Sequence, residues 1–146
     1  MNSLFKVSAK NHAGMLLMSI LAEKFETLEK GSLNADKIFV SLKDVSKQMR
    51  LSQKFLEEIA ASLKKVGLIE GRKGPGGGYK LARDPREISV YEIVTALEGP
   101  IAGLSCGSGF CPISDKCASK SLWKFLHEDL IKSLKQTSLL RIIEKK

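Results

Sequence analysis

The 146-residue sequence has only three cysteines, and all of them lie between Cys106 and Cys117. A secreted disulfide framework uses an even number of cysteines spread along the chain, so this odd, local cluster does not fit one. Three thiols on one short segment favour a metal or iron–sulfur site in a reducing compartment. We therefore expect a cytoplasmic protein.

Histidines and long apolar segments are also scarce. The two histidines, His12 and His127, have no identifiable catalytic partners, so we do not expect an enzyme. No apolar run is long enough to span a bilayer. The run over 13–22 resembles the core of a signal peptide but lacks a cleavage site, and its pattern continues through Phe25 and Leu28 as in a helix. We expect no association with a membrane.

Positive charge is abundant. The chain carries 24 Lys and Arg against 16 Asp and Glu, a formal net charge of +8. Charge alone favours an acidic partner, which is either nucleic acid or an anionic membrane surface.

Apolar periodicity and capping residues predict mostly helical structure with one hairpin. Ser8, Ser41, Ser52 and Ser89 are placed to cap helices, and Gly67 to end one. The predicted helices cover 8–30, 42–48, 53–66, 90–97 and 118–144, with a short strand at 39–40 and hairpin strands at 68–70 and 79–82.

This order of elements is that of a winged helix-turn-helix domain, which we assign to residues 1–88. Residues 89–146 would form a cysteine loop and a long C-terminal dimerisation helix. A helix of that length cannot bury its apolar stripe on a small domain alone, so we expect a homodimer.

The third predicted helix would enter the major groove of double-stranded DNA, with its N-terminus nearest the base edges. Ser52, Gln53, Lys54 and Glu57 lie there. Gln can bond adenine and Glu can accept from cytosine, while Lys54 suits guanine or phosphate. A solvated helix face would carry similar residues, so this helix alone does not establish DNA binding.

The hairpin strengthens the DNA-binding interpretation. Arg72, Lys73, Lys80 and Arg83 occur in residues 71–83 without any acidic residue, which suits phosphate contact. The tip can approach a backbone closely, and Gly76, Gly77 and Tyr79 are its candidate contacts. A nucleotide-binding loop is disfavoured because no Gly-Lys-Ser/Thr follows to open a helix.

The cysteine motif is Cys106-x4-Cys111-x5-Cys117. Zinc sites use closer pairs, so these wider spacings better suit an iron–sulfur cluster with one ligand from elsewhere. Three free thiols are the remaining alternative.

Two segments carry a family resemblance: the hairpin Arg72-Lys73-Gly74-Pro75-Gly76-Gly77-Gly78-Tyr79, and Asp115-Lys116-Cys117 followed by Leu122-Trp123. The chain resembles the bacterial winged-helix regulators that include the iron–sulfur assembly regulator and the nitric oxide sensor. The resemblance implies a homodimer with crossing C-terminal helices and a 2Fe–2S or 4Fe–4S cluster that modulates DNA binding.

The resemblance also implies the metal ligands. Cys106, Cys111 and Cys117 match the cluster ligands, although the first spacing is one residue shorter than usual. Lys120 stands where the assembly regulator has its histidine ligand, and a protonated amine cannot ligate. The carboxylate that the nitric oxide sensor supplies from the partner's first helix aligns with His12, which we expect to be the fourth ligand in preference to His127.

The same alignment places Ser52, Lys54, Phe55 and Glu57 at DNA-reading positions, and Lys73 where an arginine reaches DNA from the wing. Phe55 replaces a tyrosine. We therefore expect a sequence-specific transcription regulator, of repressor type, that senses iron–sulfur, redox or nitric oxide status. The alternatives are a regulator of the same fold that uses thiols or zinc, and an interaction module that binds an acidic protein.

Overall fold

The computed structural model describes residues 7–31, 34–102 and 111–145. Within these ranges the chain forms six α-helices and one hairpin, so the expected mostly helical fold with a β-hairpin wing is confirmed. The elements are α1 (Ala9–Glu29), α2 (Leu42–Met49), α3 (Gln53–Lys65), β1 (Ile69–Arg72), β2 (Gly78–Leu81), α4 (Val90–Glu98), α5 (Ala118–Gln136) and α6 (Leu139–Glu144). Two single-turn 3-10 helices lie at Ala35–Lys37 and Ser114–Lys116.

Local caps set most helix boundaries. The Ser8 and Ser52 hydroxyls accept hydrogen bonds from the N–H groups of Asn11 and Phe55. Ser89 and Glu92 form a reciprocal capping box at the start of α4. These helices begin within one residue of the predicted positions because their start signals are local.

The core surrounds α1, which contacts α3, α4, α6 and β2. Its largest fully buried side chains come from every layer of the domain: Leu17, Met18, Leu21, Val45, Leu56, Ile59, Leu63, Leu68, Ile69, Ile88, Ile93 and Leu139. Gly14 allows α1 and α4 to approach, because a Cβ there would lie 2.3 Å from Leu97 Cδ1.

The prediction of one continuous helix over 118–144 is wrong. The chain breaks after Gln136, where Ser138 caps a new helix by accepting from the N–H of Arg141. Tertiary hydrogen bonds fix the break, since Val90 N–H donates to Thr137 O at 2.9 Å and Leu139 N–H to Ile88 O at 2.8 Å. The last six helical residues therefore pack on the core of their own chain.

The strand predicted at 39–40 is reduced to one bridge. Val40 and Tyr79 exchange N–H···O hydrogen bonds of 2.8 and 2.9 Å, and no further ladder forms there in the described residues.

No residue of α5 is buried within the chain. Its apolar stripe faces solvent, with Leu122, Phe125, Leu126 and Leu130 between 37% and 62% exposed. None of the helices in the described ranges combines the length and apolarity needed to cross a membrane.

Candidate nucleic-acid interface and metal site

The N-terminal turn of α3 presents a polar surface. Ser52, Gln53, Lys54 and Glu57 are all exposed, and Gln53 Nε2 donates to Glu57 Oε1 at 3.4 Å. Phe55 is only partly exposed and packs against the core. Of the residues predicted to read bases, four are therefore displayed on one end of the helix, while Phe55 also anchors that end.

The wing is a short antiparallel hairpin. Ile69 pairs with Leu81 and Arg72 with Gly78, and Gly77 N–H closes the tip by donating to Gly74 O at 2.9 Å. A Cβ on Gly77 would lie 2.2 Å from Arg72 O, so this glycine is needed by the hairpin itself. Gly76 faces open space, with φ of +72°, and remains a surface for close approach.

Arg72 is engaged within the protein. Its guanidinium stacks 4.2 Å above the centroid of the Phe39 ring and donates to Gly76 O at 3.0 Å. It also lies 3.8 Å from a carboxylate oxygen of Asp36. Arg72 therefore connects the wing tip to residues 36–39 through these contacts. The sequence pattern did not reveal this role.

The other hairpin cations differ in their pairing. Lys80 lies 3.5 Å from Glu70, and Arg83 binds Glu92 at 2.6 Å. Lys73 is exposed at the tip, and no described residue pairs with it. Lys73 is thus the hairpin cation most available to an external anion.

Glu92 is held as a carboxylate. Burial raises its pKa, but the Ser89 backbone N–H and the Arg83 guanidinium lower it by more, so the pKa lies below its ordinary value. This group joins the chain after the wing to the start of α4.

The cysteine region is described only in part. Cys106 lies outside the described residues, Cys111 is exposed, and Cys117 is half-buried directly before α5. Lys120 Nζ donates to the Ser114 hydroxyl. Within the described ranges, no three His, Cys, Asp or Glu side chains converge as a metal site.

His12 and His127 line one cavity of about 690 Å³ between α1, α4 and α5. Asn11 and residues 99–102, which lead towards the cysteines, also line it. Asn11 Oδ1 and His127 Nδ1 are buried without a hydrogen-bond partner in the described residues. Unpaired buried polar atoms are uncommon, so this part of the cavity wall has hydrogen-bonding capacity that the described residues do not use.

A helix-turn-helix with an exposed reading helix and a basic wing defines a winged-helix protein of the DNA-binding class. The comparisons with known proteins agree. Residues 26–145 match the family model Rrf2, described as an iron-dependent transcriptional regulator. The chain belongs to the Rrf2 family of transcriptional regulators.

Similar proteins include regulators named IscR and regulators named CymR. Over 113 residues the chain is 34% identical to the transcriptional regulator IscR of Klebsiella pneumoniae, covering 77% of this chain and 69% of that one. The structure of T. potens IscR matches with a TM-score of 0.72 and 32% identity over 97% of this chain and 88% of that one. The structure of CymR, the global cysteine regulator of B. subtilis, matches with a TM-score of 0.79 and 26% identity. The match covers 98% of this chain and 99% of that one.

Proposed function

We propose that this chain is a sequence-specific transcription regulator, of repressor type, that binds double-stranded DNA as a homodimer. Its DNA affinity would depend on an iron–sulfur cluster, 2Fe–2S or 4Fe–4S, held by Cys106, Cys111 and Cys117 with His12 of the partner subunit.

The exposed end of α3 beside the wing carries the DNA-binding part of this proposal. Gln53 and Glu57 offer hydrogen-bonding groups for base edges, while Lys54 and Lys73 offer charges that no described residue pairs with. Arg72 holds the wing tip through Phe39 and Gly76, which keeps Lys73 and Gly76 in place.

The donor set fits an iron–sulfur cluster. Thiolates and a neutral imidazole are competent ligands for iron. His12 is exposed on α1 and lines the cavity described above, so a partner subunit that enters this cavity can reach it. The unpaired Asn11 Oδ1 in the same wall can accept a hydrogen bond from a group brought by a partner subunit.

When bound, the cluster supplies iron that responds to oxidation and to small ligands. The chain's own residues determine how that response reaches DNA. His12 lies on α1, and α1 packs against the reading helix α3. A change at His12 would therefore be passed to α3 through α1. Both half-sites must be met together, which makes affinity sensitive to the spacing of the two reading helices.

The DNA-binding part is tested by selecting a duplex from a random-sequence pool with purified protein. We expect a dissociation constant in the nanomolar range. The logarithm of the association constant should fall linearly with the logarithm of the salt concentration. A binding constant that does not depend on salt would favour the interaction module over the regulator.

The cluster part is tested by anaerobic iron–sulfide reconstitution followed by visible absorption and metal analysis. We expect a brown protein, and His12→Ala should alter the spectrum or shorten the lifetime of the cluster in air. His127→Ala, on the same cavity wall, is the matched control and should leave the spectrum unchanged. Colourless wild-type protein would overturn the cluster, and an unchanged His12→Ala spectrum would remove His12 from it.

A regulator that uses its thiols directly is the second candidate. It is favoured by the exposed thiol of Cys111 and by the CymR structures, one of which is the oxidised form of the Staphylococcus aureus protein. Colourless protein whose DNA affinity changes reversibly with peroxide and dithiothreitol would support this function. Zinc in the metal analysis would instead point to a regulator of the same fold that binds zinc.

A further inference from the structure

Arg50 occupies an unusual backbone conformation in the turn between α2 and α3. Its φ and ψ are 54° and 40°, and it is the only non-glycine residue with positive φ in the described ranges. Left-handed conformation is unfavourable for a side chain with a Cβ, whereas glycine adopts it freely.

The surrounding turn imposes this conformation. Arg50 N–H donates to Ser46 O, and Leu51 N–H donates to the same oxygen at 3.2 Å. The Ser46 hydroxyl donates to Leu51 O at 2.6 Å, and the Leu51 side chain packs against the core. Because the turn is fixed from both sides, the residue at position 50 must be left-handed, and glycine would suit the fold better than arginine.

The Arg50 side chain does not compensate within the fold. It is exposed, and no described residue forms an ion pair, side-chain hydrogen bond or ring contact with it. Arg72, Arg83 and Arg86, in contrast, each pair with a carboxylate. Arg50 is therefore unfavourable for the turn and unpaired among the described residues, which leaves its guanidinium available to a partner outside the protein.

The position of Arg50 in the fold indicates a DNA phosphate as its external partner. It lies two residues before Ser52, the cap of α3, and residues 47–54 contain Lys47, Arg50 and Lys54, all exposed, with no acidic residue. A reading helix that enters the groove by its N-terminus brings the preceding turn towards the flanking phosphates. A guanidinium matches a phosphate group with two parallel hydrogen bonds.

We infer that Arg50 is a DNA phosphate-binding residue, kept in this turn although the left-handed backbone conformation is unfavourable for arginine. This inference rests on the proposed DNA binding and adds a contact that orients α3 in the groove. It predicts that Arg50 contributes equally to every DNA sequence, because a phosphate carries no sequence information.

The test is Arg50→Gly, which removes the charge and relieves the turn. On the duplex selected by wild-type protein, we expect a loss of affinity on the order of tenfold at 0.1 M salt, and a salt slope smaller by about 0.9, as for one phosphate contact. The variant should lose affinity by the same factor on a duplex in which one base pair of the selected sequence has been replaced by another. The thermal midpoint should stay the same or rise, so a defect in folding cannot explain the loss.

Two further variants complete the test. Arg50→Lys keeps the charge and should retain the wild-type salt slope, whereas Arg141→Gln removes a charge on α6 and should leave affinity within about twofold. Unchanged affinity and slope in Arg50→Gly, or a reduced slope in Arg50→Lys, would overturn the inference while wild-type binding stands. Failure of wild-type protein to bind DNA would instead overturn the proposed function.

Discussion

Single residues in the wing have two separate tasks. Gly77 lies close to the hairpin's own backbone and Gly78 close to the backbone of Val40, whereas Gly74 and Gly76 face open space. From the sequence, Gly76 and Gly77 were candidate DNA contacts. The structure shows that close packing within the protein accounts for Gly77, against Arg72 O, and for Gly78, against Val40 O. The sequence could not reveal the second contact because Val40 lies far away along the chain.

Gly78→Ala should destabilise the protein. A Cβ at Gly78 would lie 2.2 Å from Val40 O, and its φ of +143° already disfavours a side chain. We expect a loss of about 2–3 kcal/mol in the free energy of unfolding, measured by urea denaturation. Gly74→Ala, at φ of +91° with open space around it, is the control and should lose only about 1 kcal/mol. Equal losses would contradict the clash.

At the scale of elements, start signals that act over three or four residues were predictable. Ser8, Ser52 and Ser89 fixed the starts of α1, α3 and α4. The break at Thr137 was not foreseen, because the apolar spacing continues through Leu139 and the deciding hydrogen bonds come from 88–90. Ser138 was the one local signal for it.

The same distinction applies to the candidate site. The exposed end of α3 follows from helix periodicity and its cap. The engagement of Arg72 depends on Asp36 and Phe39, whose proximity is set by tertiary structure. The cavity shared by His12 and His127 joins residues more than a hundred positions apart, and no local pattern connects them.

The start of α4 should make stability depend on pH. The pKa of Glu92 is lower in the folded chain than the usual value of about 4.3, so its interactions stabilise the fold above that pH and are lost as pH falls through the folded pKa. Glu92→Gln should therefore lower the free energy of unfolding by up to about 1 kcal/mol at pH 7 and by much less near pH 3.

Urea denaturation at the two pH values provides the measurement. In an Arg83→Gln background the effect of Glu92→Gln at pH 7 should shrink, because the 2.6 Å ion pair is already absent. A pH-independent effect of Glu92→Gln would show that its carboxylate charge does not contribute.

At the scale of the whole molecule, α5 carries the exposed apolar surface that a homodimer would cover. Leu122, Phe125, Leu126 and Leu130 recur at helical spacing along one face. Such a patch is unfavourable in water and is typical of an interaction surface.

Phe125→Asp should convert the proposed dimer to a monomer. Phe125 is 62% exposed in the single chain, and a carboxylate at a buried interface is costly to desolvate. Sedimentation equilibrium should show the mass halved, with a large loss of affinity for a two-half-site duplex. Lys124→Asp, at the neighbouring exposed position, is the control and should remain dimeric. A monomeric wild type would refute the dimer itself.

The break between α5 and α6 anchors the C-terminal end of α5 to the domain of its own chain. Lys135 lies 4.7 Å above the Tyr91 ring, and Leu139, just after the break, is fully buried in the core. A single protease cut between α4 and α5 would therefore leave two fragments that elute together under native conditions and separate only in denaturant. A change in the cysteine segment, which precedes α5, would therefore act at the end of α5 opposite to this anchor.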